Sequence, residues 1–150
     1  MGIFLKDIFD PQAIILNLQG KTKDEVFIEL SKALAAANPE CDPHAMFEAL
    51  WEREKKMSTG VASGVAIPHT TYRGLKSAIG AIGVSQTGIE YDALDDKPVY
   101  VIFMLVLGEP VEESHLRILN QISRLAQSEA LALVRQAKTV QDISAILSRF

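Results

Sequence analysis

Apolar positions along the chain change their spacing several times, and each change predicts a new strand or helix. Residues 13–18 form a short apolar run after Pro11 and predict a strand. Apolar residues then recur with helical spacing over residues 23–37. Pro39 ends that helix, because a proline disfavours helical geometry in the residue before it. A second helix is predicted from Asp42, a favourable N-cap residue that directly precedes a proline.

The middle of the chain predicts a loop followed by three strands. Residues 57–64 are rich in small residues and predict the loop, and residues 65–67 predict a short strand that stops at Pro68. Residues 77–85 alternate Gly and Ala with Ile and Val, which predicts a closely packed strand. Residues 99–107 are continuously apolar, a pattern typical of a central strand that is buried on both faces.

The part of the chain beyond Pro110 predicts helices. One apolar stripe with helical spacing contains Leu116, Leu119, Ile122, Leu125 and Ala126. Residues 131–137 and 140–147 predict further helical turns. Strands that alternate with helices around a very apolar strand predict an α/β fold. We expect a single-domain sandwich over residues 1–150, with a central mixed sheet and helices on both faces, whose strand order the pattern does not fix.

Composition and charge narrow the functional classes. The chain has 150 residues and a net charge of −4 without a basic block, so we expect neither nucleic-acid binding nor attachment to an anionic membrane. Cys41 is the single cysteine, which excludes an internal disulfide and a thiolate-rich metal site. The N-terminus lacks the pattern of a secretory signal, and the longest apolar run is too short for a transmembrane helix. We therefore expect a cytoplasmic protein that does not insert into a membrane.

His69 is the first candidate for chemistry. It follows a predicted strand and Pro68, which would place its imidazole at the carboxyl edge of the sheet, where α/β folds generally hold their sites. A neutral imidazole nitrogen is nucleophilic near neutral pH and suits phosphoryl carriage. The alternative is a histidine that merely caps the strand, and position and composition favour the two interpretations equally.

Other polar residues fit a phosphoryl site around His69. His115 falls in the first turn of the helix beyond Pro110, where the helix dipole disfavours a charged imidazole, so a neutral ring could donate a hydrogen bond to a phosphoryl oxygen. Arg53 lies near the end of the second helix, and its planar guanidinium matches phosphoryl oxygens. Ser58 and Thr59 are candidate phosphoryl-binding residues. The alternative for each is an ordinary structural or solvated residue.

Other chemistries find less support in the sequence. A metal site made of His44, His69 and His115 would lack the short spacings of a local metal motif, so no metal and no cofactor is expected. The sequence contains no P-loop, no dinucleotide fingerprint and no nucleophile elbow. It therefore indicates neither a nucleotide kinase nor an α/β-hydrolase.

The longest motif in the chain is REKKMSTGVASGVAIPH at residues 53–69. It closely resembles the active-site segment of the fructose/mannitol-type EIIA domains of the bacterial phosphoenolpyruvate:sugar phosphotransferase system, which the nitrogen-regulatory EIIA proteins share. Residues 89–106 and the segment around His115 are similar to the family's following segments, so the resemblance spans nearly the whole chain. It implies the family's compact α/β sandwich. Thr70 departs from the family, which usually has a small residue there, and we expect its hydroxyl to lie near the phosphoryl site or its branched side chain to restrict the loop.

The resemblance implies roles and partners. His69 is the phosphorylated nucleophile, His115 the supporting hydrogen-bond donor, and Arg53 the group that stabilises the transferring phosphoryl. The implied donor is HPr or a nitrogen-branch HPr-like protein. The implied onward partner is an EIIB domain or a regulatory target such as a transporter or kinase. The sequence does not fix which ring nitrogen of His69 is phosphorylated.

The resemblance leaves the physiological role open between three functions. A nitrogen-regulatory EIIA is favoured, because the chain carries no fused EIIB or membrane segment. The second function is a sugar-specific EIIA that passes the phosphoryl group to an EIIB domain. The third is a regulatory binding module that transfers nothing, and the combination of Arg53, His69 and His115 weighs against it.

Overall fold

The computed structural model of the protein describes residues 4–56, 58–62, 64–110 and 112–150. The strands in these ranges are β1 Phe9–Ile15, β2 Gly60–Ala62, β3 Val65–Ala66, β4 His69–Tyr72, β5 Ile79–Ile89 and β6 Val99–Gly108. The helices are α1 Lys23–Ala37, α2 Pro43–Lys56, α3 Glu113–Ala126, α4 Ala130–Gln136 and α5 Val140–Leu147, preceded by a 3₁₀ turn at Leu5–Asp7.

The strands form one sheet in the order β1-β5-β6-β3-β2, and β4 also pairs with β6. β1 runs parallel to β5, and β3 and β4 both run parallel to β6. The β5–β6 and β2–β3 pairs are antiparallel. The predicted mixed sheet is therefore confirmed, and β6 is its central strand.

Helices cover both faces of the sheet and divide the core into two layers. The α1–α2 layer contains Val26, Phe27, Leu30, Leu34, Met46 and Leu50, packed with Ile102, Met104 and Val106 of β6. The α3–α5 layer contains Ile118, Ile122, Leu125, Val134 and Ile143, packed with Val101, Phe103, Leu105 and Leu107 of β6. Successive residues of a strand point to opposite faces, so β6 contributes side chains to both layers. This explains why β6 is apolar throughout. The predicted α/β sandwich with helices on both faces is confirmed.

Local sequence explains where the first two helices begin. Thr22 caps α1, and the Glu25 carboxylate accepts hydrogen bonds from the backbone N–H groups of Lys21 and Thr22 at 3.0 and 3.2 Å. These bonds hold the pKa of Glu25 below its usual value. As predicted, Asp42 precedes α2, and its side chain accepts a hydrogen bond from the N–H of Ala45 at 3.0 Å.

Two predicted boundaries were wrong. β1 begins at Phe9 and includes Pro11, because β1 is an edge strand and an edge tolerates a residue without an N–H donor. The predicted loop at residues 57–64 contains β2, which pairs with β3. Met57 and Ser63 of that loop lie outside the described residues.

β3 ends before Pro68, as predicted, but the chain continues in the sheet beyond the proline. Pro68 lacks the N–H that would donate to β6, so the ladder is interrupted between β3 and β4. Its carbonyl still accepts a hydrogen bond from the N–H of Leu105 at 2.9 Å, and the chain resumes pairing with β6 at His69. His69 therefore lies opposite Leu105, three residues before the carboxyl end of β6. No helix in the described ranges is long and apolar enough to cross a membrane.

Candidate active site

His69 is the first residue of β4 and lies opposite Leu105 of β6. Residues directly opposite each other in a parallel pair point to the same face, and Leu105 packs in the α3–α5 layer. The half-buried His69 imidazole therefore points to the face of the sheet that α3 covers. His115 is in the first turn of α3 and is 8% exposed. The fold thus places both predicted histidines on one side of the sheet.

The hydrogen bond of His69 defines its tautomer. Nδ1 lies 2.8 Å from the carbonyl oxygen of Ile67. A carbonyl oxygen only accepts hydrogen bonds, so Nδ1 carries the proton. In the neutral ring, Nε2 then has the free lone pair and is the nucleophilic atom.

His115 has the opposite tautomer. Its Nδ1 accepts a hydrogen bond from the backbone N–H of Glu112 at 3.3 Å. Because an N–H can only donate, Nδ1 is unprotonated and the neutral ring carries its proton on Nε2. His115 can therefore donate a hydrogen bond from Nε2.

A cleft of about 390 Å³ lies beside the first turn of α3. His115 lines it together with Ser114, Lys76 and Ser77, but His69 is not among the described residues that do so. Leu116 is the next residue of α3 and is 64% exposed, which makes it an apolar side chain on the surface next to His115. The two histidines therefore share a face of the sheet without sharing this cleft.

Arg53 lies on the other face of the sheet from the two histidine side chains. It lies in the last turn of α2, which packs in the α1–α2 layer, and its side chain is half-buried. It directly precedes Glu54, which is only 4% exposed. A contact between Arg53 and a phosphoryl group on His69 stays a prediction.

Glu54 is the centre of a buried hydrogen-bond network. Its carboxylate accepts bonds from the backbone N–H and the hydroxyl of Thr59 at 2.8 and 2.5 Å. It also accepts from the hydroxyl of Tyr91 at 3.2 Å and pairs with Nζ of Lys23 at 3.1 Å. We call these four residues, Lys23, Glu54, Thr59 and Tyr91, the Glu54 network.

The candidate phosphoryl-binding residues Ser58 and Thr59 are both tied to their own segment. Thr59 is 7% exposed, and its N–H and hydroxyl donate to Glu54. The Ser58 hydroxyl accepts a hydrogen bond from the N–H of Gly60 at 3.2 Å. Phosphoryl contacts from these residues stay predictions, and Thr59 would have to give up its bonds to Glu54 to make one.

Sequence reasoning missed the role of Glu54, although a signal for it exists. Met46, Leu50 and Glu54 follow one another at intervals of four and are all buried in α2. A carboxylate that continues an apolar helical stripe must find buried partners, because an unpaired buried charge is strongly unfavourable. The spacing could therefore have identified Glu54 as a buried, hydrogen-bonded group.

The environment of Tyr91 predicts a pH dependence of stability. Burial, followed by the negative charge of Glu54, raises the pKa of the Tyr91 hydroxyl well above its usual value. In the unfolded chain the phenol loses its proton near pH ~10. The stabilisation that the protonated Tyr91 hydroxyl gives the folded state is therefore complete below that pH and is lost as the pH rises. We expect the free energy of unfolding to fall above pH ~10 by up to about 1.4 kcal/mol per pH unit from this residue. Urea denaturation across this range measures it.

The Tyr91→Phe variant removes the titrating hydroxyl and should show a shallower decline above pH ~10. Tyr100→Phe is the matched control, because the half-buried Tyr100 packs in the α3–α5 layer, away from the Glu54 network. Equal slopes for the wild type and Tyr91→Phe would contradict the prediction.

Thr70 is next to His69 in β4, whereas His44 lies on α2. Thr70 follows His69 in β4, so its side chain points to the opposite face of the sheet, and a contact of its hydroxyl with the phosphoryl group stays a prediction. His44 is an exposed residue of α2 that pairs with Glu48 at 3.0 Å. Among the described residues, no three His, Cys, Asp or Glu side chains are grouped to hold a metal ion.

Residues 7–150 match the family model of the phosphoenolpyruvate-dependent sugar phosphotransferase system, EIIA 2. A nitrogen regulatory protein of Pseudomonas aeruginosa is 34% identical over 146 residues, which are 97% of this chain and 95% of that protein. A fructose-specific EIIABC component of Bacillus subtilis is 32% identical over 127 residues, 85% of this chain but 20% of that protein.

A comparison with solved structures points to the same family as the comparison of sequences. The crystal structure of nitrogen regulatory protein IIA-Ntr from Neisseria meningitidis superposes with a TM-score of 0.87 at 30% identity. The match covers 95% of this chain and 98% of that chain. This chain therefore belongs to the EIIA 2 family of the phosphoenolpyruvate-dependent sugar phosphotransferase system and is a phosphotransferase component.

Proposed function

We propose that this protein is a cytoplasmic phosphoryl carrier of the nitrogen-regulatory EIIA kind, which accepts a phosphoryl group on Nε2 of His69 from HPr or an HPr-like protein. The observation that carries the proposal is the bond from Nδ1 of His69 to the Ile67 carbonyl, which leaves a lone pair on Nε2. The similarity to a nitrogen regulatory protein, which aligns with 97% of this chain, also supports the proposal.

The transfer exchanges one nitrogen–phosphorus bond for another. The lone pair of His69 Nε2 attacks phosphorus in line with the donor nitrogen, and the electron pair of the breaking bond returns to the donor ring. No proton has to leave Nε2. Positive charge develops on the His69 ring, and the Ile67 carbonyl stabilises it through Nδ1–H. His115 Nε2–H and Arg53 would stabilise the charge on the phosphoryl oxygens.

The onward step distinguishes the proposed role from its alternative. A nitrogen-regulatory protein switches its binding to a transporter or kinase when it is phosphorylated, because the added charge changes the local electrostatics. A sugar-specific EIIA passes the phosphoryl group to an EIIB domain. The fructose-specific relative favours this second role, although the match covers only a fifth of that protein.

The proposal is tested by incubating the purified protein with phosphoenolpyruvate, Enzyme I and HPr or its nitrogen-branch counterpart. We expect one phosphoryl group per chain, in a bond that acid breaks and alkali leaves intact, as in a phosphoramidate. Adding an EIIB domain to the isolated phosphoprotein then separates the two roles, since only a sugar-specific protein would discharge rapidly. A chain that accepts no phosphoryl group from either donor would overturn the proposal.

His115→Ala is expected to accept the phosphoryl group on His69 more slowly. The variant loses a hydrogen-bond donor to a charged phosphoryl group, which is worth about 10- to 100-fold in rate. His115→Gln keeps an N–H donor and should recover part of the rate. Single-turnover transfer and melting temperature are measured on the same preparation. A lower melting temperature with normal transfer per folded molecule would show that His115 is only structural.

A further inference from the structure

We propose that the buried carboxylate of Glu54 is a positioning residue for His69, and that it acts through Thr59 and Ile67. This inference rests on the proposed function, because the ring that it positions is the proposed phosphoryl acceptor. Glu54 lies on α2, in the layer opposite the one that His69 faces. A route of hydrogen bonds nevertheless joins the two side chains.

The route begins at the carboxylate. Glu54 holds Thr59 at two points, the backbone N–H at 2.8 Å and the hydroxyl at 2.5 Å. The carbonyl oxygen of Thr59 then accepts a hydrogen bond from the N–H of Ile67 at 3.2 Å. The carbonyl oxygen of Ile67 accepts the proton on Nδ1 of His69 at 2.8 Å. Each residue between Glu54 and His69 is thus hydrogen-bonded on both sides.

The anchor of this route is rigid, because Glu54 is fixed from several directions. Lys23 of α1 lies 3.1 Å from its carboxylate, and Tyr91, which follows β5, donates a hydrogen bond at 3.2 Å. Lys23 Nζ also lies 4.5 Å from the centre of the Tyr91 ring. Truncating one partner of such a network leaves the others buried and unsatisfied. The network therefore couples the position of Thr59 to two other parts of the fold.

The position of the Ile67 carbonyl matters for the transfer chemistry. It selects the tautomer of His69 that leaves Nε2 unprotonated, and it sets the rotation of the ring relative to the incoming phosphorus. Pro68 has no N–H to donate to β6. Two hydrogen bonds therefore hold the segment around Ile67, one from the Ile67 N–H to the Thr59 carbonyl and one from the Leu105 N–H to the Pro68 carbonyl. A displacement of about 1 Å at a reacting group can cost about 100-fold in rate.

The test uses two pairs of variants of the full chain. Glu54→Gln removes the charge, and Glu54→Asp retains it but shortens the side chain. Thr59→Val removes the hydroxyl, and Thr59→Ser retains it. We expect Glu54→Gln and Thr59→Val to lower the kcat of phosphoryl acceptance from HPr about tenfold or more, with little change in KM, because both side chains are buried and present little surface to a partner. Thr59→Ser should recover most of the kcat that Thr59→Val loses.

A second readout does not depend on transfer. Nitrogen-15 NMR of the unphosphorylated protein measures the fraction of His69 rings that carry the proton on Nδ1, and we expect this fraction to fall in Glu54→Gln and Thr59→Val. Leu34→Ala is the control, because Leu34 is fully buried in the same layer but off the hydrogen-bond route. It should lower the melting temperature without changing the tautomer or the kcat per folded molecule.

The outcomes separate this inference from the proposed function. Failure of the wild type to accept phosphoryl would overturn the proposed function, whereas the NMR measurement would still test the positioning of the His69 ring. An unchanged tautomer and an unchanged kcat per folded molecule in both Glu54→Gln and Thr59→Val would overturn the positioning role. If Leu34→Ala shows the same losses of Nδ1 protonation and of kcat per folded molecule, the role of Glu54 and Thr59 is purely structural, and the positioning role is equally overturned.

Discussion

A His69→Ala variant is expected to accept no phosphoryl group from HPr or its nitrogen-branch counterpart. Alanine removes the imidazole ring and with it Nε2. Nε2 is the nucleophilic atom of the ring, because Nδ1 carries the proton that is donated to the Ile67 carbonyl. Unlike a lost hydrogen bond, a lost nucleophile leaves no acceptor for phosphorus, so the effect should be complete rather than graded. The measurement is labelling with phosphoenolpyruvate and Enzyme I in the presence of the carrier.

His44→Ala is the matched control for this experiment. His44 is an exposed histidine on α2 that pairs with Glu48. The His44→Ala protein should therefore be labelled to the same extent as the wild type. His69 itself is half-buried on β4, so the melting temperature of His69→Ala must also be compared with that of the wild type. Labelling of the folded His69→Ala protein at the wild-type level would show that His69 is not the acceptor.

Arg53→Lys is expected to slow the transfer by about 10²–10³, by analogy with the removal of a donor that stabilises transition-state charge. Lysine keeps the positive charge but loses the planar fork that can bind two phosphoryl oxygens at once. The retained charge also preserves the electrostatic effect of residue 53 on the Tyr91 hydroxyl. The fold should therefore stay intact while the rate falls, and single-turnover kinetics together with a melting curve measure both.

Arg124→Lys provides the comparison for Arg53→Lys. Arg124 is exposed in the last turn of α3, at the end of the helix opposite His115, so the same substitution there should leave the transfer rate unchanged. If Arg53→Lys also transfers at the wild-type rate, the guanidinium fork of Arg53 has no role in the transfer. A rate loss that matches the loss of folded protein would likewise contradict a role in stabilising the phosphoryl group.

The sequence by itself determined the fold class and the main candidate residues. The apolar run at residues 99–107 predicted a central strand, because a strand covered on both faces needs apolar side chains at every position, and β6 occupies Val99–Gly108. The spacing of apolar residues predicted α1 and the helices beyond Pro110, since one buried face per helix leaves a periodic signal. The motif that ends at His69 indicated the family because its residues are contiguous in the chain.

Tertiary structure alone decided the strand order, the course of the chain at His69 and the hydrogen bonds of the site. Pro68 predicted the end of a strand, and β3 does end before it. Only the tertiary structure shows that β6 is long enough to pair with β3 and then with β4. The route from Glu54 to His69 joins residues 54, 59, 67 and 69, which periodicity cannot connect because it describes only one element at a time. The tautomers of His69 and His115 depend on a carbonyl and an N–H that folding places beside each ring, so they could not be predicted from residue types.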